Sequence, residues 1–319
     1  MQYSVRLCAL MALCFAIGCA EGRFDPVAEE AASLRTDTHD HGEEIAEKSR
    51  RGHRSCGTRP VGAEELAEIQ REVDNHFRNQ PSQRRKQTVN VPVYFHVIEG
   101  QNGQGKVSNA AVKAQIRTLN RAYAGSEFDG RTKFKFKLKK TTRTRNALWH
   151  AACDHHQVEK EMKTALRRGG KNALNIYACT PGDLLGFATW PWEVKNARAL
   201  DGVVIATSTL PNPRASHPFN EGDTLVHEVG HWMGLYHTFQ GVSVKSNGQL
   251  KGCGGKGDRV RDTPAHFVNY TCAQTEDTCR GGGVDPHENY MNYTHDVCMD
   301  RFSRGQAQRM DQHVRKYRL

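Results

Sequence analysis

One stretch of the chain has the residue types and spacing of a metal-dependent catalyst. His227, Glu228, His231, Gly234 and His237 form the pattern H-E-x-x-H-x-x-G-x-x-H. Histidines four apart lie one turn apart on one face of a helix. His227 and His231 can therefore each bring a ring nitrogen to one zinc ion at about 2.0–2.1 Å. Glu228 stands beside the first ligand, placed to act on a water held by the metal. His237 lies six residues beyond His231. On a continuous helix it would stand roughly 9 Å further along the axis, too far to share the ion, so the helix must end between them. Gly234 can end it, because glycine takes positive φ without steric cost. Three neutral nitrogens leave a fourth tetrahedral position for water, the arrangement of a catalytic zinc rather than a closed structural one.

Several elements must position this motif. Gly202–Ala206 predicts a strand leading to the zinc helix, which should begin near Glu221 with Asn220 or Asp223 as its cap. Upstream, Val91–Ile98 reads as a strand by its β-branched and aromatic content. Ser108 should cap a helix running to about Tyr123. Phe134–Lys139 alternates strictly, which predicts a strand with one wet face. Val158–Leu166 predicts a short helix and Leu174–Ala178 a strand. Residues 184–192 read as an extended segment near a sheet edge, since Pro191 is poorly tolerated in a central strand. This order implies an α/β (α+β) fold with a mixed, twisted sheet and an active-site helix. The glycine-rich stretch Gly241–Gly283 is long for an irregular segment and calls for disulfides or metal ions to hold it. A last helix is expected from Ser303 to about Tyr317, with Met310 and Val314 turned inward.

The chain has 319 residues and a formal net charge of +10. An apolar run from Leu7 to Ile17 follows Arg6, and Gly18-Cys19-Ala20 supplies small residues for cleavage, so residues 1–20 read as a secretory signal. The competing reading is a lipoprotein signal with Cys19 acylated at the cell surface. The run is too short to span a membrane, and no later stretch qualifies. Residues 21–52 are polar and without apolar periodicity. Residues 62–78 predict a helix with Leu66, Ile69, Val73 and Phe77 on one stripe. Residues 79–86, with Pro81 and the run Arg84-Arg85-Lys86, predict an exposed, cleavable linker. Net charge is −2 over residues 21–86 and +11 over 87–319. No compact basic-aromatic motif points to nucleic acid. After removal of a signal, Cys56, Cys153, Cys179, Cys253, Cys272, Cys279 and Cys298 remain, an odd set that leaves one thiol without an internal partner.

The long zinc motif resembles that of the metzincin metallopeptidases. The residues around His231–Phe239, Asp262-Thr263-Pro264-Ala265 and Cys298–Gln306 are similar to the pappalysin branch, which includes ulilysin-like and fungal secreted enzymes. The resemblance covers roughly residues 88–319; the loop Gly241–Gly252 is longer than in compact members. It implies a zinc endopeptidase acting on protein or peptide substrates, with Glu228 as general base. Glu288–Thr294 would form the methionine-containing turn, with Met291 as a floor under the histidines and Tyr293 stabilising the oxyanion. It also implies disulfides Cys253–Cys279 and Cys272–Cys298, which leave Cys153 and Cys179 to pair. A calcium site at Asp258 and Asp262 and a charge from Asp296 in the S1′ pocket follow in the same way. The segment Arg54–Pro60 resembles the cysteine switches of metzincin zymogens, so Cys56 would occupy the fourth zinc position and hold the enzyme latent. The implied organisation is a signal peptide (1–20), a propeptide (21–86) and a monomeric, disulfide-pinned catalytic domain (87–319). A non-catalytic, zinc-stabilised binding protein is the alternative from another class. Glu228 separates the two, since a structural site needs no carboxylate there. A zinc hydrolase acting on a non-peptide substrate is a further alternative, and an edge segment able to pair with an extended chain argues for peptides.

Overall fold

The computed structural model describes residues 55–78, 87–125, 130–215, 218–245 and 247–319. The signal reading with Cys19, the polar leader, Arg54 and the basic linker lie outside the described residues. In chain order the elements are α1 (Ala63–Arg78), β1 (Val89–Glu99), α2 (Asn109–Ala124), β2 (Phe134–Arg145), α3 (Ala147–Ala151), α4 (His156–Leu166) and β3 (Leu174–Cys179). They continue with β4 (Gly186–Ala188), β5 (Val203–Ala206), α5 (Asp223–Trp232), a small hairpin of β6 (Ser243–Val244) and β7 (Leu250–Lys251), and α6 (Arg304–Tyr317).

The main sheet has the order β2-β1-β3-β5-β4. Its first four strands run parallel, and β4 pairs antiparallel to β5 at the edge. The architecture is thus α/β with a twisted, mostly parallel sheet. β3 and β5 are buried along their whole length, as parallel strands covered on both faces must be. β2 is the far edge strand. Phe134 and Phe136 point to the core while Lys135 and Lys137 stay in water. It runs six residues further than its alternating pattern, because the β1 ladder continues as far as Arg145.

On one face α2 and α5 close the core. Val93, Phe95, Ile176 and Ile205 of the strands meet Ile116 and Leu119 of α2 and Val226 and Val229 of α5. Ser108 starts α2 as its pattern predicts, its hydroxyl accepting from the Ala111 amide at 3.1 Å. The opposite face carries α3 and α4, packed on Ile98, Tyr177 and Val204 around the Cys153–Cys179 bridge.

The edge departs from expectation. Only residues 186–188 are strand. Pro191 opens a 3-10 turn over Pro191–Lys195, and the Glu193 carboxylate accepts from the Trp190 amide at 3.0 Å. Proline suits this first helical position because its missing N–H costs nothing there. Past α5 the chain is mostly loop, tied by Cys253–Cys279 and Cys272–Cys298, and ends in α6, which a reciprocal Ser303–Gln306 cap initiates.

α1 is not detached. Leu66, Ile69 and Val73 bury against Trp190, Trp192, Tyr236 and Tyr317.

Candidate active site

α5 is buried at every position. Its start lies two residues later than expected, and neither Asn220 nor Asp223 caps it. Gly222 precedes the helix at φ +95°, and the Asp296 carboxylate supplies the acceptors from outside, taking the Glu221 amide at 3.0 Å and the Asp223 amide at 3.4 Å. A carboxylate at this end also complements the helix dipole. The helix ends as its sequence requires. Gly234 adopts φ +96°, and the Leu235 amide turns back to the Gly230 carbonyl at 2.9 Å. A Cβ at position 234 would meet the His313 ring at 2.6 Å, so glycine is needed there for space as well as for conformation.

The reversal brings His237 to the other two histidines. The Nε2 atoms of His227, His231 and His237 lie 3.0–3.2 Å from one another. Tetrahedral bonds of about 2.05 Å place ligand nitrogens roughly 3.3 Å apart, so the three fit one zinc ion. His227 Nδ1 donates to the Tyr290 carbonyl at 2.7 Å and His231 Nδ1 to the Leu235 carbonyl at 2.8 Å. Each bond fixes the tautomer that leaves Nε2 free to bind metal. Burial depresses His231 to about 4, and burial together with His231 holds His237 well below its usual range, which keeps both rings neutral, the ligating form.

Cys56 completes the cluster. Its Sγ and the three histidine nitrogens all lie within 4.8 Å of one another. Sγ is also 3.5 Å from Glu228 Oε2. The cysteine is delivered by strand addition: Cys56 bridges Gly186 in parallel, with Gly57 N–H to Gly186 O and Leu185 N–H to Ser55 O, both 2.9 Å. Gly186 is what lets the edge strand come this close, since a Cβ there would stand 2.9 Å from Glu228 Cγ. Thr58 adds a contact with no counterpart in the sequence reading. Its hydroxyl donates to Glu228 Oε2 at 3.0 Å and accepts from the Ala188 amide at 2.8 Å. Tyr293 stands over the same point, its ring 4.9 Å from His237 and close to Cys56 and Glu228. Burial first, then the nearby Cys56 and Glu228, pushes the Tyr293 hydroxyl up, so it remains a proton donor. Met291 is fully buried beneath the histidines' helix.

The cluster's chemistry is that of a hydrolytic metal site, and comparison with known proteins agrees. Residues 175–315 match peptidase family M43, described as pregnancy-associated plasma protein-A. An extracellular metalloprotease of Coccidioides posadasii is 36% identical over 84% of this chain and 91% of its own length. The chain belongs to the pappalysin family. Two solved pappalysin-like structures from Tannerella forsythia agree with it in fold. Mature mirolysin in complex with a cleaved peptide has a TM-score of 0.60 at 28% identity, covering 73% of this chain and 97% of that one. A mutant of promirolysin gives 0.63 at 26% identity, covering 83% and 95%. The protein is a zinc metalloendopeptidase.

Within this pappalysin the other expected residues are placed as follows. Asp296, expected to charge a substrate pocket, is buried and bonded to the start of α5. Asp258 and Asp262 serve different partners. Asp258 is buried, accepts from Val260 N and Thr263 Oγ1, and keeps Oδ2 without a hydrogen-bond partner among the described residues. Burial raises its pKa to about 7. Asp262 accepts from Ser303 Oγ at 2.7 Å and Gly305 N at 2.9 Å, at the start of α6. Cys253–Cys279, Cys272–Cys298 and Cys153–Cys179 are bridged, and Cys56 alone is free among the described cysteines. Among the described residues no helix is long and apolar enough to cross a membrane. Sequence reasoning missed Thr58, Gly186, Trp190 and Glu193. The last two carried a signal, an acidic residue three after Trp190 with a proline between them, which is the spacing of a helical N-cap.

Proposed function

We propose that this chain is a secreted zymogen of a zinc endopeptidase, held latent by residues 55–78. The observation that carries the reading is the convergence of Cys56 Sγ with the His227, His231 and His237 nitrogens beside the Glu228 carboxylate. The likeness to promirolysin, which covers more of this chain than the mature form does, supports it. So do the extracellular names of the relatives and the signal-like residues 1–20, which favour release over an anchor at Cys19.

His227, His231 and His237 would hold the zinc. When bound, the metal supplies a Lewis acid and lowers the pKa of water at its open position. Glu228, on the face of α5 that meets β4, accepts the proton of the attacking water and passes it to the leaving amine. The Tyr293 hydroxyl donates to the oxyanion of the tetrahedral intermediate. β4 offers the Ala188 amide to an extended substrate. In the latent chain these groups are engaged: the Cys56 thiol, clustered with the three histidine nitrogens, would be the zinc's fourth ligand, and Thr58 binds Glu228 and the Ala188 amide. Calcium at Asp258 is part of the proposal. Its buried, unpartnered oxygen is a hard ligand of the kind that ion takes.

The test compares three full-length chains on a quenched fluorescent peptide before and after cleavage of the 79–86 linker. The wild type should gain activity on cleavage. Cys56→Ala should turn over without it. Glu228→Gln should stay inactive after cleavage while retaining one zinc per chain by elemental analysis. A cleaved Glu228→Gln chain that hydrolyses peptides, or a Cys56→Ala precursor as silent as the wild type, would refute the roles assigned.

A further inference from the structure

We propose that Glu193 forms a substrate subsite for a basic side chain, in the place that Arg59 holds in the latent chain. The proposal rests on the reading of residues 55–78 as a removable segment lying in the substrate cleft.

Arg59 lies three residues past Cys56. At about 3.3 Å per residue its place is roughly 10 Å along the cleft from the metal, towards the C-terminal end of β4. Two groups of the catalytic domain receive it. Trp190 Nε1 donates to its carbonyl at 2.9 Å. Glu193 Oε1 accepts from its Nε at 3.0 Å and its Nη2 at 2.7 Å. The other carboxylate that Arg59 binds, Glu65, belongs to α1, at 2.8 and 2.9 Å. When residues 55–78 leave, Glu65 leaves with them and Glu193 keeps no cationic partner from that segment.

Glu193 remains poised for a replacement. Its Oε2 is held by the Trp190 amide at 3.0 Å, so the carboxylate has a fixed direction and presents Oε1 to the cleft. Trp190 is itself fixed, stacked on Trp192 at 4.8 Å and edge-on to the ligand His231 at 5.1 Å. A cavity of about 610 Å³ adjoins the pair, lined on the catalytic-domain side by Phe187, Thr189, Trp192 and Glu193 and carrying both Glu159 and Lys195. A substrate running along β4 would reach the same two groups, its carbonyl at Trp190 Nε1 and an Arg or Lys side chain at Glu193.

The test digests a peptide library with the linker-cleaved wild type and with Glu193→Gln, followed by kinetics on a matched pair of peptides carrying Arg or Gln at the selected position. Glutamine retains an oxygen for the Trp190 amide, so the turn is kept and the charge alone is removed. Arg and Lys should be enriched at one position two to four residues from the scissile bond. In Glu193→Gln the Arg-to-Gln ratio of kcat/KM should fall about fivefold, the upper end for an ion pair partly in water. The change should lie in KM for the Arg peptide, and Glu193→Gln should alter hydrolysis of the Gln peptide less than that of the Arg peptide. An unchanged ratio in Glu193→Gln, or no basic enrichment at those positions, overturns the subsite and leaves the protease reading intact. A linker-cleaved wild type that cuts no peptide overturns both.

Discussion

Thr58 is the most direct probe of the latency proposed for residues 55–78. Its hydroxyl donates to the Glu228 carboxylate and accepts from the Ala188 amide, and both partners lie outside residues 55–78. Thr58→Val removes the hydroxyl and keeps the branched shape. A hydrogen bond to a charged group contributes about 1.5–3 kcal/mol and a neutral one about 0.5–1.5 kcal/mol. The two share one oxygen, so about 2 kcal/mol is a conservative loss from the docked state. At about 1.4 kcal/mol per factor of ten, the open fraction of the uncleaved chain rises roughly 30-fold. The assay is the initial rate on a quenched peptide, with Arg84, Arg85 and Lys86 replaced by Gln so that the linker stays whole. Thr58→Val should raise the basal rate by about that factor, and Thr58→Ser, which keeps the hydroxyl, should remain near wild type. In chains that keep the native linker, both should reach the wild-type rate once it is cleaved and residues 55–78 are released. A Thr58→Val precursor as silent as the wild type, beside an active Cys56→Ala, would show that the thiol alone holds the cleft shut.

The other predictions concern the support behind the site. Asp201 is fully buried and accepts from Trp232 Nε1 at 3.0 Å and Arg318 Nη1 at 2.9 Å, tying the end of the chain to the last residue of α5. Asp201→Ala strands a buried guanidinium and should cost about 3–5 kcal/mol, read by urea denaturation; a loss under about 1 kcal/mol would refute the pairing. His96 lies between Thr142 and Asn175 in the sheet, and burial lowers its pKa to about 4. The unfolded chain takes up this proton near pH 6.5 and the folded chain only near pH 4. The stability from a neutral His96 is thus complete above about 6.5 and is lost as pH falls between the two values, by about 2.5 kcal/mol at pH 4.5. His96→Gln should lose less stability than the wild type between pH 7 and 4.5 by that amount, and equal losses would refute it.

Those parts of the site that rest on local chemistry were legible in the sequence. The spacing of His227, His231 and His237 demanded a helix broken at Gly234, and the structure breaks it there with a positive φ. Strand and helix periodicity placed β1, α2, β3 and α6 within a few residues of their bounds. The misses share a physical cause, since each depends on a partner distant in the chain. The cap of α5 is Asp296, 73 residues after the helix begins; nothing near Glu221 encodes it. Residues 184–192 read as one extended segment because Pro191 forbids a central strand equally well by ending β4 and by opening a turn. Thr58 and Gly186 carry no local pattern. A hydroxyl two residues after a cysteine and a glycine in a short strand gain meaning only when strand addition sets them beside Glu228. The loop 241–283 has little periodicity, and its course follows from two disulfides.

On the proposed reading, latency and catalysis would compete for the same atoms rather than for the same volume. An extended chain added to β4 as ordinary backbone would bring a peptide carbonyl to the Ala188 amide. Here that amide is taken by the Thr58 hydroxyl, so the ladder begun at Gly57 N–H and Leu185 N–H stops beside Glu228, the proposed general base. At the parallel Cys56–Gly186 bridge it is the thiol that lies with the histidine nitrogens. Such a segment can lie in a proteolytic cleft without being its substrate. Its grip is also spread over separate footholds: the thiol at the histidines, the hydroxyl at Glu228, the Arg59 pair at Glu193, and the apolar face of α1 on Trp190, Trp192, Tyr236 and Tyr317. Each foothold raises the effective concentration of the others. Under the proposal, loss of one should therefore open the cleft only fractionally, and full activity should require that the linker be cut and the whole segment leave. If the proposal holds, the fourth ligand position left open by three histidines is the point where release of residues 55–78 becomes the same event as assembly of the catalyst.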